Sequence, residues 1–169
     1  MTVLKPKKVS ESAINDQTYK VFPNDLNSNN TVFGGLVMGI LDRVALVVAE
    51  RHSEKICLTV SVDSMHFLAP ARKGDILIFR AAINKAWRTS MEIGIKVLAQ
   101  HYQTGEEAHI LSAYFTFVAV DEHLQPIEVP QVTPETPIEK RRFEEAELRR
   151  ERRKQEKEDR QRRRQELGQ

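Results

Sequence analysis

Asp42 stands in the most apolar stretch of the chain: 11 of the 14 residues from 36 to 49 are apolar, and only Gly39, Asp42 and Arg43 interrupt them. A carboxylate in such surroundings is costly unless it finds a partner, a cavity or an interface. Paired with Arg43 or Arg88 it is a structural ion pair. Left free, it is a candidate general base or nucleophile. Gly34-Gly35 precedes it on the same run. Two glycines at a helix start let a ligand come close to the backbone, and first-turn N–H groups lack intrahelical acceptors. Together with the helix dipole they suit an oxygen turning negative. The same pair can also serve a tight turn and nothing more. Asn27, upstream in an Asn-rich loop, offers an amide that can orient a water or hold a carbonyl. Asn24, Asn29 and Asn30 fit turn positions that tolerate left-handed backbone. The joint spacing of Asn27, Gly34-Gly35 and Asp42 carries more than any one of them.

These groups need elements to hold them. Residues 1–14 are polar and expected to be flexible. Tyr19, Val21 and Phe22 offer a short strand stopped by Pro23, and residues 23–30 are dense in turn formers, so an ordered loop is expected there. Residues 36–49 are too long for an ordinary strand and apolar on every face, which predicts a helix buried almost all round and ending in the polar residues 50–53. Leu58, Val60 and Val62 then alternate with Thr59, Ser61 and Asp63. Three more long strands are expected over 76–87, 91–102 and 110–120, joined by short turns as an antiparallel meander. Pro126, Pro130, Pro134 and Pro137 mark an extended exit. Beyond it, 22 of the 31 residues from 139 to 169 are charged. Glu145/Arg149, Glu156/Arg160, Glu158/Arg162 and Asp159/Arg163 have helical spacing for ion pairs, so a projecting, solvated helix frayed toward Gly168 is expected. The elements make an α+β protein: a domain over 15–132, with a flexible segment 1–14 before it and a charged helical extension 133–169 after it.

Composition removes several classes. The 169 residues suit one domain. No apolar run approaches the roughly 18 residues needed to span a bilayer, and Lys5, Lys7 and Lys8 have no apolar segment behind them, so neither a membrane span nor a secretory leader is expected. The net charge of +2 hides an asymmetry, because residues 138–169 hold 13 basic and 9 acidic residues of the totals 26 and 24. The remainder is weakly acidic, so the pI of 8.7 does not point to nucleic acid. The single Cys57 excludes a disulfide framework and reads as a packed core thiol. The histidines at 52, 66, 101, 109 and 123 have no metal-ligand spacing. There is no G-x-S-x-G elbow, G-x-G-x-x-G, P-loop or H-E-x-x-H. A reduced, cytoplasmic protein is expected.

The stretch PNDLNSNNTVFGGLVMGILDRVA resembles the loop-plus-helix signature of the hotdog-fold acyl-CoA thioesterases, the acyl-CoA hydrolase group of brain-type and bacterial broad-range enzymes. VSVDSMHFLAPARKGD, WRTSMEI and YFTFVAVDEHLQPIEVP extend the resemblance over residues 17–130 or so, and PETPIEKRRFEEAELRRERR resembles a recurrent ending of the group. One position departs from it: Asn30 stands where the family carries the glycine of N-x-x-G. Asparagine is the next residue most tolerant of positive φ, so the turn is expected to survive.

The resemblance implies a hotdog fold, a long central helix wrapped by an antiparallel sheet, and a thioester hydrolase that releases fatty acid and coenzyme A. It implies no cofactor and no metal, with coenzyme A entering only as part of substrate and product. It also implies a homodimer with sheets joined edge to edge, assembling to a hexamer, with active sites between subunits. Asp42 of one subunit and Asn27 of the other would be the catalytic pair. The backbone N–H of Gly35 or of the residue after it would bind the thioester oxygen, beside Gly34. Arg88, Thr89 and Ser90 match the region where the family holds the coenzyme A end of its substrate, though a solvated turn explains them equally. His66 lies on the segment beside the helix, followed by Phe67, which reads as core. The competing reading is a hotdog module that binds acyl-CoA without cleaving it.

Overall fold

Seven strands and two long helices form in the computed structural model, which describes residues 4–166. They are β1 (Lys7–Lys8), β2 (Ile14–Lys20), α1 (Gly34–Ser53), β3 (Ile56–Val62), β4 (Ile76–Ala86), β5 (Ser90–Gln100), β6 (Glu107–Val120), β7 (Val132–Thr133) and α2 (Pro137–Glu166). The family-style fold class is borne out: one long helix lies on a five-stranded antiparallel sheet of order β2-β4-β5-β6-β3.

α1 buries Val37, Leu41, Val44, Ala45 and Val48, a spacing that puts all five on one face. They join one core cluster with Phe79, Met91, Ile93, Phe115 and Phe117 from the sheet. Each such side chain contributes roughly 1.5–3 kcal/mol on burial. The expected burial on every side differs from the structure, because Met38 and Val47, on the two flanks of that stripe, remain 42% and 38% exposed. One sheet can wrap only one side of a helix. At its end, Glu54 takes φ 56 and donates its N–H to the Glu50 carbonyl, while Arg51 complements the dipole.

The three long strands after residue 75 form the expected meander. β3 does not join it beside β4: it crosses through residues 63–75 and pairs with β6 at the far edge. The connection is long enough for that crossing, and the edge it creates is apolar, with Leu58 42%, Val60 60% and Val62 41% exposed.

The N-terminal segment departs from the expected flexibility in its described part. Lys7 and Lys8 pair in parallel with Val132 and Thr133, and Val9 is buried in the core. The apolar Val9 anchors an otherwise polar stretch. The C-terminal helix also departs from a fully solvated extension. Its first half lies against the outer face of the sheet, where Ala146 is buried and Glu147 accepts from the Trp87 indole N–H at 2.9 Å and pairs with Lys85 at 2.7 Å. Of the four ion pairs expected from i, i+4 spacing, the structure forms Glu145–Arg149 at 3.8 Å. Arg162 turns instead to Asp159 three residues away, and Arg160 to the Glu156 carbonyl. The expected fraying at Gly168 lies outside the described residues. Among the described residues, no helix is long and apolar enough to cross a membrane.

Candidate active site

The loop before α1 is built to present one amide. Asn27 Oδ1 accepts backbone N–H groups from Asn29 at 2.9 Å and Thr31 at 3.2 Å, while Nδ2 donates to Thr31 Oγ1 at 3.0 Å. Both Oδ1 bonds require an acceptor, so the side chain can face only one way round, with one Nδ2 hydrogen left to offer. The turn closes through Asn30, whose N–H bonds the Asn27 carbonyl and whose φ is 57. Asparagine thus does the work of the family glycine. The buried Asp25 carboxylate ties the loop down by accepting from the Tyr19 hydroxyl at 2.9 Å and the Phe22 N–H at 2.7 Å.

α1 begins at Gly34. Among the described residues, no acceptor meets the N–H groups of Gly34 and Gly35, whereas Leu36 N–H turns back onto the Phe33 carbonyl at 3.0 Å. The N–H of Gly35 is therefore free and that of Leu36 is occupied. Phe33 and Phe67 flank this opening: a Cβ on Gly35 would sit 2.5 Å from the Phe33 ring, and one on Gly34 would sit 3.4 Å from the Phe67 ring. Phe67 is 49% exposed and is not the core residue expected, because it packs over the glycine backbone at the surface. Beside it opens a cavity of about 360 Å³, walled by Val32, Val37, Phe67, Leu68 and Ile110 and reached by Asn27 and Gly34.

Asp42 lies further along the same helix, half-buried. It makes no ion pair with Arg43 or Arg88; its Oδ1 accepts the Thr59 hydroxyl of β3 at 2.7 Å. That leaves Oδ2 free. Thr59 was not among the expected residues: alternation with Leu58 and Val60 assigns the polar position to the solvent side, whereas here it faces the helix. The helix rises about 1.5 Å per residue, so the eight residues from Gly34 to Asp42 span roughly 12 Å. A carboxylate that far along the helix cannot, within one chain, meet a group bound at those N–H donors.

The other expected residues lie apart. Arg88 and Thr89 sit in the β4–β5 turn, where their carbonyls accept from Val129 and Ala119, and Ser90 opens β5. Arg88 and His66 are exposed, and neither lines the cavity. Cys57 is buried against the Ser53 hydroxyl at 3.2 Å, and burial pushes its thiol up, away from thiolate chemistry. Among the described residues, no group of three His, Cys, Asp or Glu side chains is placed to hold a metal.

Residues 29–105 match the thioesterase superfamily. Protein VdlD of Helicobacter pylori is 43% identical over 134 residues, covering 79% of this chain and 76% of its own. An apo-hexameric acyl-CoA thioesterase superposes with a TM-score of 0.87 at 37% identity, over 90% of this chain and 97% of that one. The acyl-CoA hydrolase of Staphylococcus aureus, solved with butyryl coenzyme A, coenzyme A and coenzyme A disulfide, superposes with a TM-score of 0.87 at 34% identity, over 96% of this chain and 99% of that one.

Proposed function

The chain belongs to the thioesterase superfamily, and we propose that it hydrolyses the thioester of acyl-coenzyme A at a site shared by two subunits. The observation that carries this reading is the separation along α1. Free N–H donors at Gly34 and Gly35 and the carboxylate of Asp42 are the two halves of an acyl-transfer site, yet within one chain they lie too far apart to act on one carbonyl. A second copy supplies the missing half to each.

The apolar edge supports such a pairing. β3 ends the sheet with exposed Leu58, Val60 and Val62, and an edge of that kind is a template for another strand. Hexameric assembly of a structural neighbour at 37% identity supports a further grouping of dimers.

In this reading, the thioester oxygen accepts the Gly34 and Gly35 N–H groups of one subunit. Asp42 of the other, with Oδ1 fixed by Thr59, uses Oδ2 to take a proton from water as the water oxygen adds to the carbonyl carbon. The Asn27 amide hydrogen orients the reactants from its own subunit's loop. Collapse of the tetrahedral intermediate breaks the C–S bond, and the departing thiolate recovers the proton as free coenzyme A. The acyl chain enters the apolar cavity. Arg88, Thr89, Ser90 and His66 provide cationic and polar groups for the nucleotide end. No cofactor is required.

Free-thiol release from an acyl-CoA panel tests the activity, and mixing subunits tests the sharing. Asp42→Ala and Asn27→Ala are each expected to be inactive. Dissociated and reassociated together, they should regain about a quarter of wild-type activity, because half the dimers are hybrids with one intact site. Saturable binding without turnover by the wild type would favour the non-catalytic alternative, and no regain on mixing would place both residues in one chain's site.

A further inference from the structure

We propose that the C-terminal helix sets the catalytic carboxylate through β3, with Arg153 as the positioning residue. The inference rests on Asp42 being the group that activates water. Arg153 of α2 spans two acidic side chains on the outer face of the sheet, reaching Asp63 through Nη1 at 2.8 Å and Glu92 through Nη2 at 2.8 Å. Glu92, near the start of β5, is completely buried. It also receives Arg149 Nη2 at 2.7 Å and the Asn84 amide at 3.0 Å. Arg149 lies over the Tyr114 ring at 3.8 Å, and the Tyr114 carbonyl accepts the Asp63 N–H at 3.0 Å. The helix thus grips one edge strand and its neighbours from behind, through charges that burial makes specific.

The reach to the active site comes from a bulge. In a regular strand, residues 59 and 63 are an even number apart and face the same side. Here Thr59 pairs opposite Phe117 and Ser61 opposite Thr116, so one extra residue is inserted between them. Parity is reversed beyond it. Thr59 therefore faces α1 and donates to Asp42, while Asp63 faces α2 and meets Arg153. Both contacts are satisfied together only in this bulged register. The Thr59–Asp42 bond holds β3 before the bulge and the Arg153–Asp63 pair holds it just beyond. Loss of the second anchor frees the strand past the bulge and loosens the segment that carries the Thr59 hydroxyl. This explains why a helix so rich in charge spends two arginines on the back of a sheet.

Arg153→Gln is a mild probe, since Glu92 keeps Arg149 and Asn84, and Asp63, 21% exposed, can still reach water. It is expected to lower kcat about 3- to 10-fold with KM within about twofold, and to lose almost nothing further when combined with Thr59→Val, because the two act through one contact. Amide hydrogen exchange at residues 61–63 should quicken, a readout that needs no turnover. Arg153→Lys should restore much of kcat. An unchanged kcat in a folded Arg153→Gln, the same factor lost again on the Thr59→Val background, or unaltered exchange in β3 would each overturn the proposal. If Arg153→Gln does not fold, Asp63→Asn is read by the same criteria. A wild type that releases no thiol while Arg153→Gln still loosens β3 would sink the hydrolase reading and leave the register clamp standing.

Discussion

The Thr59 hydroxyl of β3 donates to Oδ1 of Asp42 on α1 across 2.7 Å. This single bond crosses from sheet to helix and leaves one carboxylate oxygen committed and the other free. A hydrogen bond to a charged acceptor is worth roughly 1.5–3 kcal/mol, a factor of about 10 to 100 in rate if it acts in the transition state. Thr59→Val, which keeps the shape and the exposed position, is expected to lower kcat within that range while the melting temperature stays near wild type. Steady-state thiol release and thermal unfolding on the same samples check it.

Asn27→Asp separates the loop from the chemistry. The new carboxylate still accepts the Asn29 and Thr31 N–H groups, so the turn should persist. The one hydrogen available for the substrate is gone, and a negative oxygen takes its place. Activity is expected to fall on the order of a hundredfold or more, as for removal of a single oriented donor. An Asn27→Asp enzyme as active as wild type would remove the amide from the reaction.

Gly35→Ala tests the opening at the helix start. The added Cβ would lie 2.5 Å from the Phe33 ring, and because Phe33 is exposed the ring can swing away. Alanine also favours the helix by up to about 1 kcal/mol. Unfolding should therefore be unchanged or slightly later, while kcat/KM drops because the displaced ring lies over the N–H donors. Crystal or solution data showing Phe33 in place with full activity would contradict this.

His52 gives the fold an acid limit. Its ring is fully buried at the end of α1, with Nε2 2.8 Å from the Pro130 carbonyl and Nδ1 without a partner. Desolvation, reinforced by the nearby Lys7 charge, holds its pKa below the ordinary 6.5, against smaller raising effects of the Pro130 carbonyl and Glu11. The neutral ring donates to Pro130, and the stability this provides is fully present above pH 6.5. As pH falls below that value the unfolded chain takes up a proton that the native state resists, so stability declines until the folded group itself titrates. The melting temperature should fall across this window in the wild type. In His52→Gln, which keeps a donor but cannot titrate, the fall should be smaller.

The exposed edge strand predicts an assembly defect. Val60→Lys places a charge at the most exposed apolar position of β3. Light scattering should show dissociation to single chains, and thiol release should disappear with it. A monomer that retained turnover would refute the shared site.

Much of the fold was legible because its elements are long and strongly patterned. The runs at 36–49, 76–87, 91–102 and 110–120 became α1, β4, β5 and β6 with boundaries close to those expected. The place of β3 was not legible, since alternation along a strand says nothing about which neighbour it joins. Asn27, Gly34, Gly35 and Asp42 stood out through their spacing around one helix start, and the structure adds how the amide is aimed and which N–H groups are free. Thr59 was invisible for a different reason. Its partner is set by a bulge, which no local propensity marks. Docking of α2 did leave a trace in Met91-Glu92-Ile93, a lone carboxylate inside an apolar strand that required cations from elsewhere.

The roughly 12 Å along α1 between the glycine donors and Asp42 has a consequence for how the protein behaves when scarce. If the site is shared as proposed, a newly made chain holds two unfinished halves and cannot consume acyl-CoA before it meets its copy. Specific activity should accordingly decline on dilution, so that the amount of protein present, as well as its turnover, governs how much thioester is spent.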